Sequence, residues 1–250
     1  MIQSIDRAIR ALVALQGARR MSLSELAARL DLAPSTMHGI LKSLVEHGMV
    51  VQDRGSNRYQ LGPAVLRLGN VYLDTLELRA RAVPWAEDLA RRTGLAVRTG
   101  VPLLDEVVII HHEPRPDGTR QMPEVGLVMP AHASALGKAM LAFVDDDVRD
   151  VLSDDLRSMT GATVTSFAQL EEQLAEIRSG GVAVEAEESV IGECSLASPV
   201  FDSFGDVVGA IGVVLPSGVD LQSHPNRDQV RDAARAISRE MGASAWPPVH

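Results

Sequence analysis

Residues 33–50 read "APSTMHGILKSLVEHGMV". Pro34 or Ser35 opens a helix, since proline's missing N–H costs nothing in a first turn. Met37, Ile40, Leu41 and Leu44 recur at helical spacing as a buried stripe, and Gly48 supplies the left-handed residue that ends the helix. Ser35, Thr36, His38, Lys42 and Ser43 are left on the outer face. These short hydrogen-bonding side chains and one cation suit phosphates and base edges in the major groove of double-stranded DNA. Lys42 reads as a phosphate contact.

The flanks give this helix a setting. "SIDRAIRALVALQ" (4–16) predicts a helix with Ile5, Ile9, Leu12 and Val13 on one face and Ser4 as its cap. "SLSELAARLDL" (22–32) predicts a short helix with Leu23, Leu26, Ala27 and Leu30 inward, and Ser22 and Glu25 in capping-box spacing. "MVVQDRGSNRYQLG" (49–62) reads as two short strands about a tight turn at Arg54 to Asn57, a wing that brings Arg54 and Arg58 within reach of phosphates. Helix, short helix, longer helix and hairpin is the order of a winged helix-turn-helix. The alternative is a small helical bundle with a solvated polar face.

Charge is divided along the chain. The formal net charge is -9, yet residues 1–62 hold eight Lys or Arg against five Asp or Glu, leaving the acidic excess to residues 63–250. A duplex feels the local field within a Debye length of about 8 Å, so a basic head can bind while an acidic body stays apart. The single Cys194 excludes an internal disulfide and any cysteine-based zinc site. The N-terminus "MIQSIDRAIR" has no signal-peptide apolar core and no run of 18 apolar residues occurs. A soluble cytoplasmic protein without membrane contact is expected.

From Pro63, Val65, Leu68, Tyr72 and Leu76 predict a helix with an apolar stripe, and Pro84 to Arg92 a second helix stopped by Gly94. A stripe on a connecting helix calls for a partner, either a second copy, giving a dimer that sets two heads on successive half-sites, or the rest of its own chain. Beyond Gly94 the pattern is mixed. "LAVRTGV" (95–101), "EVVIIHH" (106–112), "GVAVEAEE" (181–188), "SLASPVFD" (195–202) and "VVGAIGVVL" (207–215) read as strands. "ASALGKAMLAF" (133–143), "FAQLEEQLAEIRSGG" (167–181) and residues 226–241 read as helices. With "DSFGD" (202–206) as a hairpin turn, the expectation is an α+β domain built on an antiparallel sheet, with no nucleotide-binding fingerprint.

The chain resembles the IclR family of bacterial transcriptional regulators through "SIDRAIRAL" (4–12), "LSELAARLDLAPSTMHGILKSLVEHGMV" (23–50), "RYQLGP" (58–63), "HASALGKAMLAF" (132–143) and "EESVIGECSLASPVFD" (187–202). The stretch "HHEPRPDGTRQMPEVG" (111–126) is similar to that of actinobacterial glycerol-operon regulators. The resemblance implies a winged helix-turn-helix over residues 1–62, a linker and dimerisation helix over 63–79 and a GAF-like effector-binding domain over 80–250. It implies a homodimer or homotetramer that represses or activates a catabolic operon in response to a small metabolite, with no cofactor and no catalysis.

Carried over by position, the family's effector pocket falls on Ala135 and Leu136 at a helix start, on Glu185, on Ser195, and on Gly212 and Val214, where sensors of small acids have serines. The family's pocket cysteine corresponds to Ser195 rather than Cys194. An ionised Glu185 about 4 Å from a bound carboxylate costs ~4 kcal/mol at an effective dielectric of 20, so a polyol, phenol or other hydroxyl-bearing ligand is favoured. The effector classes are thus polyols, hydroxy acids and aromatic acids. The bland alternative for Glu185 is an exposed acid in the charged run with Glu187 and Glu188.

Other features are weaker. His111 and His112 are adjacent on a strand and point to opposite faces, and His132 is distant, so no metal site is expected. Asp145 to Asp147 fit a helix start, where acids satisfy free N–H groups, better than a magnesium site. Ser134 and Lys138 have the spacing of a catalytic pair, yet nothing supplies an oxyanion hole. The rival functional class is a small-molecule sensor or enzyme whose head binds another protein.

Overall fold

The computed structural model describes residues 2–144, 148–152 and 155–247. The chain divides into two compact units, Met1–Thr75 and Leu76–His250. The acidic run Asp145 to Asp147 lies outside the described residues.

The first unit runs α1 (Gln3–Ala18), α2 (Leu23–Arg29), α3 (Pro34–Glu46), β1 (Val50–Gln52), β2 (Tyr59–Leu61) and α4 (Pro63–Thr75). Its core joins Ala11 and Leu15 of α1, Leu26 of α2, Met37 and Leu41 of α3, and Val50 and Tyr59 of the hairpin. The capping box at α2 forms as its spacing predicts. The Ser22 hydroxyl accepts from the Glu25 N–H, and the Glu25 carboxylate accepts from the Ser22 N–H. Gly48, at φ 68°, takes the left-handed turn that leads α3 into β1.

Two expectations fail here. Ser4 lies inside α1, whose cap position is Ile2 with no side-chain bond. The face of α1 that packs is Ala11, Ala14 and Leu15, whereas Ile5, Ile9 and Val13 remain 55%, 54% and 59% exposed. Apolar weight selects the wrong face because the three large residues outweigh the small ones that fit closely against α3. The helix α4 likewise buries none of its residues.

The second unit runs α5 (Glu77–Thr93), β3 (Ala96–Leu103), β4 (Glu106–Glu113), β5 (Val128–Pro130), a 3-10 turn (Ala131–Ala133), α6 (Ala135–Leu141), α7 (Val148–Val151), α8 (Phe167–Gly180), β6 (Ala183–Ala186), β7 (Glu193–Phe201), β8 (Val207–Pro216) and α9 (Asn226–Glu240). Pro84 does not start a helix: it sits within α5, which is held because Leu78, Ala82, Ala86 and Leu89 bury one face. Leu76 falls in the break between α4 and α5 as the cap residue of α5, not on a continuous stripe. The short β5 is an addition that no periodicity signals.

The sheet has six strands in the order β5-β4-β3-β8-β7-β6, every neighbouring pair antiparallel. α6 and α8 pack on one face with Ala183, Ala197 and Ala210 beneath them. α5 and α9 pack together on the other, where the Ser238 hydroxyl of α9 accepts the N–H of Phe201. The small residues under α6 let it lie close to the strands, which sets the depth of the cavity described next.

Candidate DNA interface and effector cavity

On α3, Ser35, His38, Lys42 and Ser43 are exposed and Thr36 is half-buried. Lys42 stands 4.0 Å from Glu46 one turn on, an exposed pair worth little and easily given up for a phosphate. Arg54 is exposed at the wing tip, where Asp53 shapes the turn by accepting the Gly55 N–H at 3.1 Å and the Ser56 hydroxyl at 2.6 Å. Those bonds hold the Asp53 carboxyl below the usual carboxylate range. Arg58 is less available than its position suggests. Its guanidinium donates to Glu25 at 2.9 Å and to the Arg20 carbonyl at 3.2 Å, tying the wing to the start of α2.

Strand register assembles the second site. Glu185 faces Ser195 across β6 and β7, and Ser195 faces Val214 across β7 and β8. One step along, Ala197 faces Gly212, and Gly212 faces Arg98 of β3. Register partners and residues two apart share a sheet face, so these side chains converge on the face that α6 covers. Ala135 and Leu136 meet them from the first turn of α6, where N–H groups have no helical acceptor. All six residues carried over from the family line one cavity, together with Arg98, Met129, Ser134 and Ser189. Its volume is about 20 Å³, room for about one water molecule, so an effector enters only as the wall opens around it.

Glu185 is not an exposed member of an acidic run: only 3% of it is accessible. One carboxylate oxygen accepts from the N–H groups of Glu188 at 2.6 Å and Ser189 at 3.2 Å, and the other from the Ser195 hydroxyl at 2.8 Å. Glu187, at φ 55°, bends the chain between them. Burial pushes the Glu185 carboxyl above its ordinary value, and these three bonds pull against that shift. Cys194 pairs with Leu215, is buried and is absent from the cavity wall, as the alternation of strand side chains requires. At Gly212 an added Cβ would lie 2.4 Å from the Leu196 carbonyl oxygen and 2.8 Å from the Ala197 methyl. The serine of acid sensors has no room on this backbone.

Two charged side chains in this region carry no signal from the family pattern. Arg98 lines the cavity, and its guanidinium donates to both oxygens of Glu124, at 3.0 Å from Nη2 and also from Nε, and to Glu193 at 3.1 and 3.2 Å. Burial opposes its charge, but the two carboxylates outweigh it and hold Arg98 above its ordinary value. Lys138 of α6 is fully buried and donates to Glu188 at 2.5 Å. Burial lowers its ammonium against the pull of Glu188. Ser134, the supposed partner of Lys138, instead caps α6 by accepting the Gly137 N–H at 3.1 Å.

His112 pairs with Arg98 across the strands, with Nε2 3.8 Å from Glu124, whereas His111 lies opposite Thr99. Among the described residues no group of three or more His, Cys, Asp or Glu is placed to hold a metal ion. No described helix is long and apolar enough to cross a membrane.

Residues 4–54 match the IclR helix-turn-helix domain and residues 70–239 match the profile described as bacterial transcriptional regulator IclR C-terminal. The chain belongs to the IclR family. This regulator is 45% identical over 252 residues to the glycerol operon regulatory protein of Streptomyces griseus, with 98% of each chain covered. It is 42% identical to the glycerol operon regulatory protein of Streptomyces coelicolor over 250 residues, again covering 98% of each. Among solved structures it is similar to the IclR regulator of Alicyclobacillus acidocaldarius at 26% identity and a TM-score of 0.81, with 99% of this chain and 100% of that one covered. The IclR regulator is thus a ligand-responsive, DNA-binding transcriptional regulator of a catabolic operon, joining a winged helix-turn-helix to an α+β effector domain.

Proposed function

We infer that the IclR regulator is a cytoplasmic repressor of a polyol-utilisation operon of the glycerol type, released from its operator by a small hydroxyl-bearing effector in the cavity under α6. The observation that carries this is the Glu185–Ser195 pair, a buried carboxylate and hydroxyl that both line the cavity wall. A ligand O–H donates to Glu185 or Ser195 without the repulsion that a bare carboxylate would meet there. The cation of the wall, Arg98, is held by Glu193 and Glu124 in the unliganded protein, and recognition of ligand hydroxyls falls to Glu185 and Ser195. The full-length likeness to two glycerol operon regulatory proteins supports the same class.

The DNA contacts we assign are Ser35, Thr36, His38, Lys42 and Ser43 on α3 and Arg54 on the wing, with Arg58 holding the wing in place. The ligand contacts are Glu185 and Ser195, the first-turn N–H groups of Ala135 and Leu136, and the surfaces of Gly212 and Val214. A homodimer, able to pair into a tetramer, covers the apolar residues that the first unit leaves exposed: Ile5, Ile9 and Val13 of α1, and Leu66, Leu68 and Tyr72 of α4. Several large apolar side chains exposed on each of two helices point to a protein contact. No catalysis is assigned, because the Ser134 hydroxyl is spent on a helix cap and Lys138 on Glu188.

The test is a thermal-shift panel of polyols, hydroxy acids and aromatic acids on the full chain, followed by gel shifts on the intergenic DNA upstream of its coding sequence. A polyol or hydroxy acid that raises the melting temperature and releases the DNA is expected. Stabilisation by aromatic acids alone would overturn the ligand class, and failure to shift the DNA at low salt would overturn the operator assignment.

A further inference from the structure

Arg98 occupies an unusual place. It lines the inner cavity with Glu185 and Ser195, and also an outer groove of about 230 Å³ whose wall includes Arg115, Gln121, Glu124 and Glu193. It is the partition between the two, with its side chain 13% exposed. The guanidinium holds one carboxylate more than its charge requires. Both oxygens of Glu124 lie on Nε and Nη2, and one oxygen of Glu193 bridges Nη1 and Nη2. The two carboxylates repel each other, so one is dispensable electrostatically. Glu193 is fixed in β7, whereas Glu124 comes from residues 114–127, which connect β4 to β5 with no helix or strand of their own.

We propose that Arg98 is the anion subsite of the effector cavity, that Glu124 occupies it in the unliganded protein, and that the effector bears both hydroxyls and one carboxylate or phosphate, which replaces Glu124. This rests on the cavity being the effector site and narrows the ligand to hydroxy acids and phosphorylated polyols. The planar fork of arginine donates in parallel to two oxygens of a carboxylate or phosphate alike, so exchange preserves the bonds to Arg98. Glu124 meanwhile returns to water and regains its hydration, and the hydroxyl end of the ligand reaches Glu185 and Ser195. A ligand with only one of the two groups gains only one end. The same exchange breaks the tie of Glu124 to β3 while the backbone bonds of Gly126 and Leu127 to Ile109 of β4 stay, so occupancy alters the chain outside the cavity as well as inside it.

The experiment is isothermal titration of the full chain with glycerol, glycerate, glycerol phosphate, acetate and inorganic phosphate, using the parent protein, Glu124→Gln, Ser195→Ala and the double variant Arg98→Gln/Glu124→Gln. If the latched arrangement is populated about nine-tenths of the time, removing the competing carboxylate in Glu124→Gln tightens glycerate and glycerol phosphate by about tenfold. Glycerol stays unchanged, every anion that binds at Arg98 gains by the same factor, and the double variant loses the gain while still binding glycerol. An unchanged ratio of anionic to neutral affinity in Glu124→Gln overturns the proposal, as does a parent that binds inorganic phosphate as tightly as glycerol phosphate, or no binding of any hydroxylated anion to either protein. The Ser195→Ala arm separates the two levels. If it weakens none of the hydroxylated probes, the cavity is not the effector site and both readings fall. If it weakens them all while Glu124→Gln alters nothing, only the anion subsite falls.

Discussion

Replacing Glu185 by glutamine changes charge with almost no change of shape, and its consequences follow from three hydrogen bonds. The amide oxygen can still accept from the N–H groups of Glu188 and Ser189, and the amide nitrogen can donate to Ser195, whose hydroxyl turns round to accept. A ligand O–H then meets a neutral acceptor instead of a charged one. Hydrogen bonds to charged groups contribute about 1.5–3 kcal/mol net and neutral ones about 0.5–1.5, so the effector weakens by about tenfold. Stability should move the other way. Burial raises the folded-state value of this carboxyl above its unfolded value near 4.5. A group shifted upward contributes stability that is fully present below the unfolded value and is lost as pH rises through the folded one. The parent carries that loss at neutral pH and the glutamine does not. Unliganded Glu185→Gln therefore melts above the parent near about pH 8, with the difference closing as pH falls toward about 4. Calorimetric titration with the effector and melting curves across that range measure both effects. Unchanged effector affinity with a lower melting temperature near neutral pH would refute the assignment of Glu185 as a buried, ionised acceptor.

Lys138→Met leaves the Glu188 carboxylate buried without its partner, a loss of about 3–5 kcal/mol, and Lys138→Met/Glu188→Leu recovers much of it. Calorimetric melting decides this, and a single variant as stable as the parent would contradict it. Lys42→Ala lowers the slope of log affinity against log salt by about 1 on every DNA sequence, read by fluorescence anisotropy, whereas Thr36→Ala or His38→Ala changes preference among operators. Arg58→Ala releases the wing from Glu25 and Arg20, so the amides of Tyr59 and Gln60 exchange faster while the salt slope holds. A slope change near 1 would make Arg58 a phosphate contact instead.

Legibility in the sequence followed the scale of the interaction. In α3 the large buried residues are also those at helical spacing, so its faces could be read directly. In α1 they are not: Ala11 and Ala14 pack because they are small, and nothing in a hydrophobic count favours alanine over Ile5 or Ile9. Pro84 looked like a start because proline usually is one, and only the tertiary packing of Leu78 and Ala82 overrides it. The six carried-over cavity positions could be placed because strand alternation and register preserve their facing from one relative to the next. Arg98 was the missed residue. An arginine inside the apolar run "LAVRTGV" was a signal, since a charge at a buried strand position needs partners. Its partners Glu124 and Glu193 lie 26 and 95 residues away, beyond any local pattern. Lys138 in "ALGKAML" is the same case, paired with Glu188 50 residues on.

The most direct measurement is the affinity of the full chain for its upstream intergenic DNA, by anisotropy, with and without saturating effector, for the parent and for Ser195→Ala. A ligand shifts this equilibrium only by its differential affinity for the two arrangements, typically about 1–3 kcal/mol. The parent is expected to lose between about fivefold and 150-fold in DNA affinity on adding effector. Ser195→Ala should match the parent without effector and respond far less at the same concentration. Equal release from both proteins would contradict a cavity under α6 as the place where the metabolite is read.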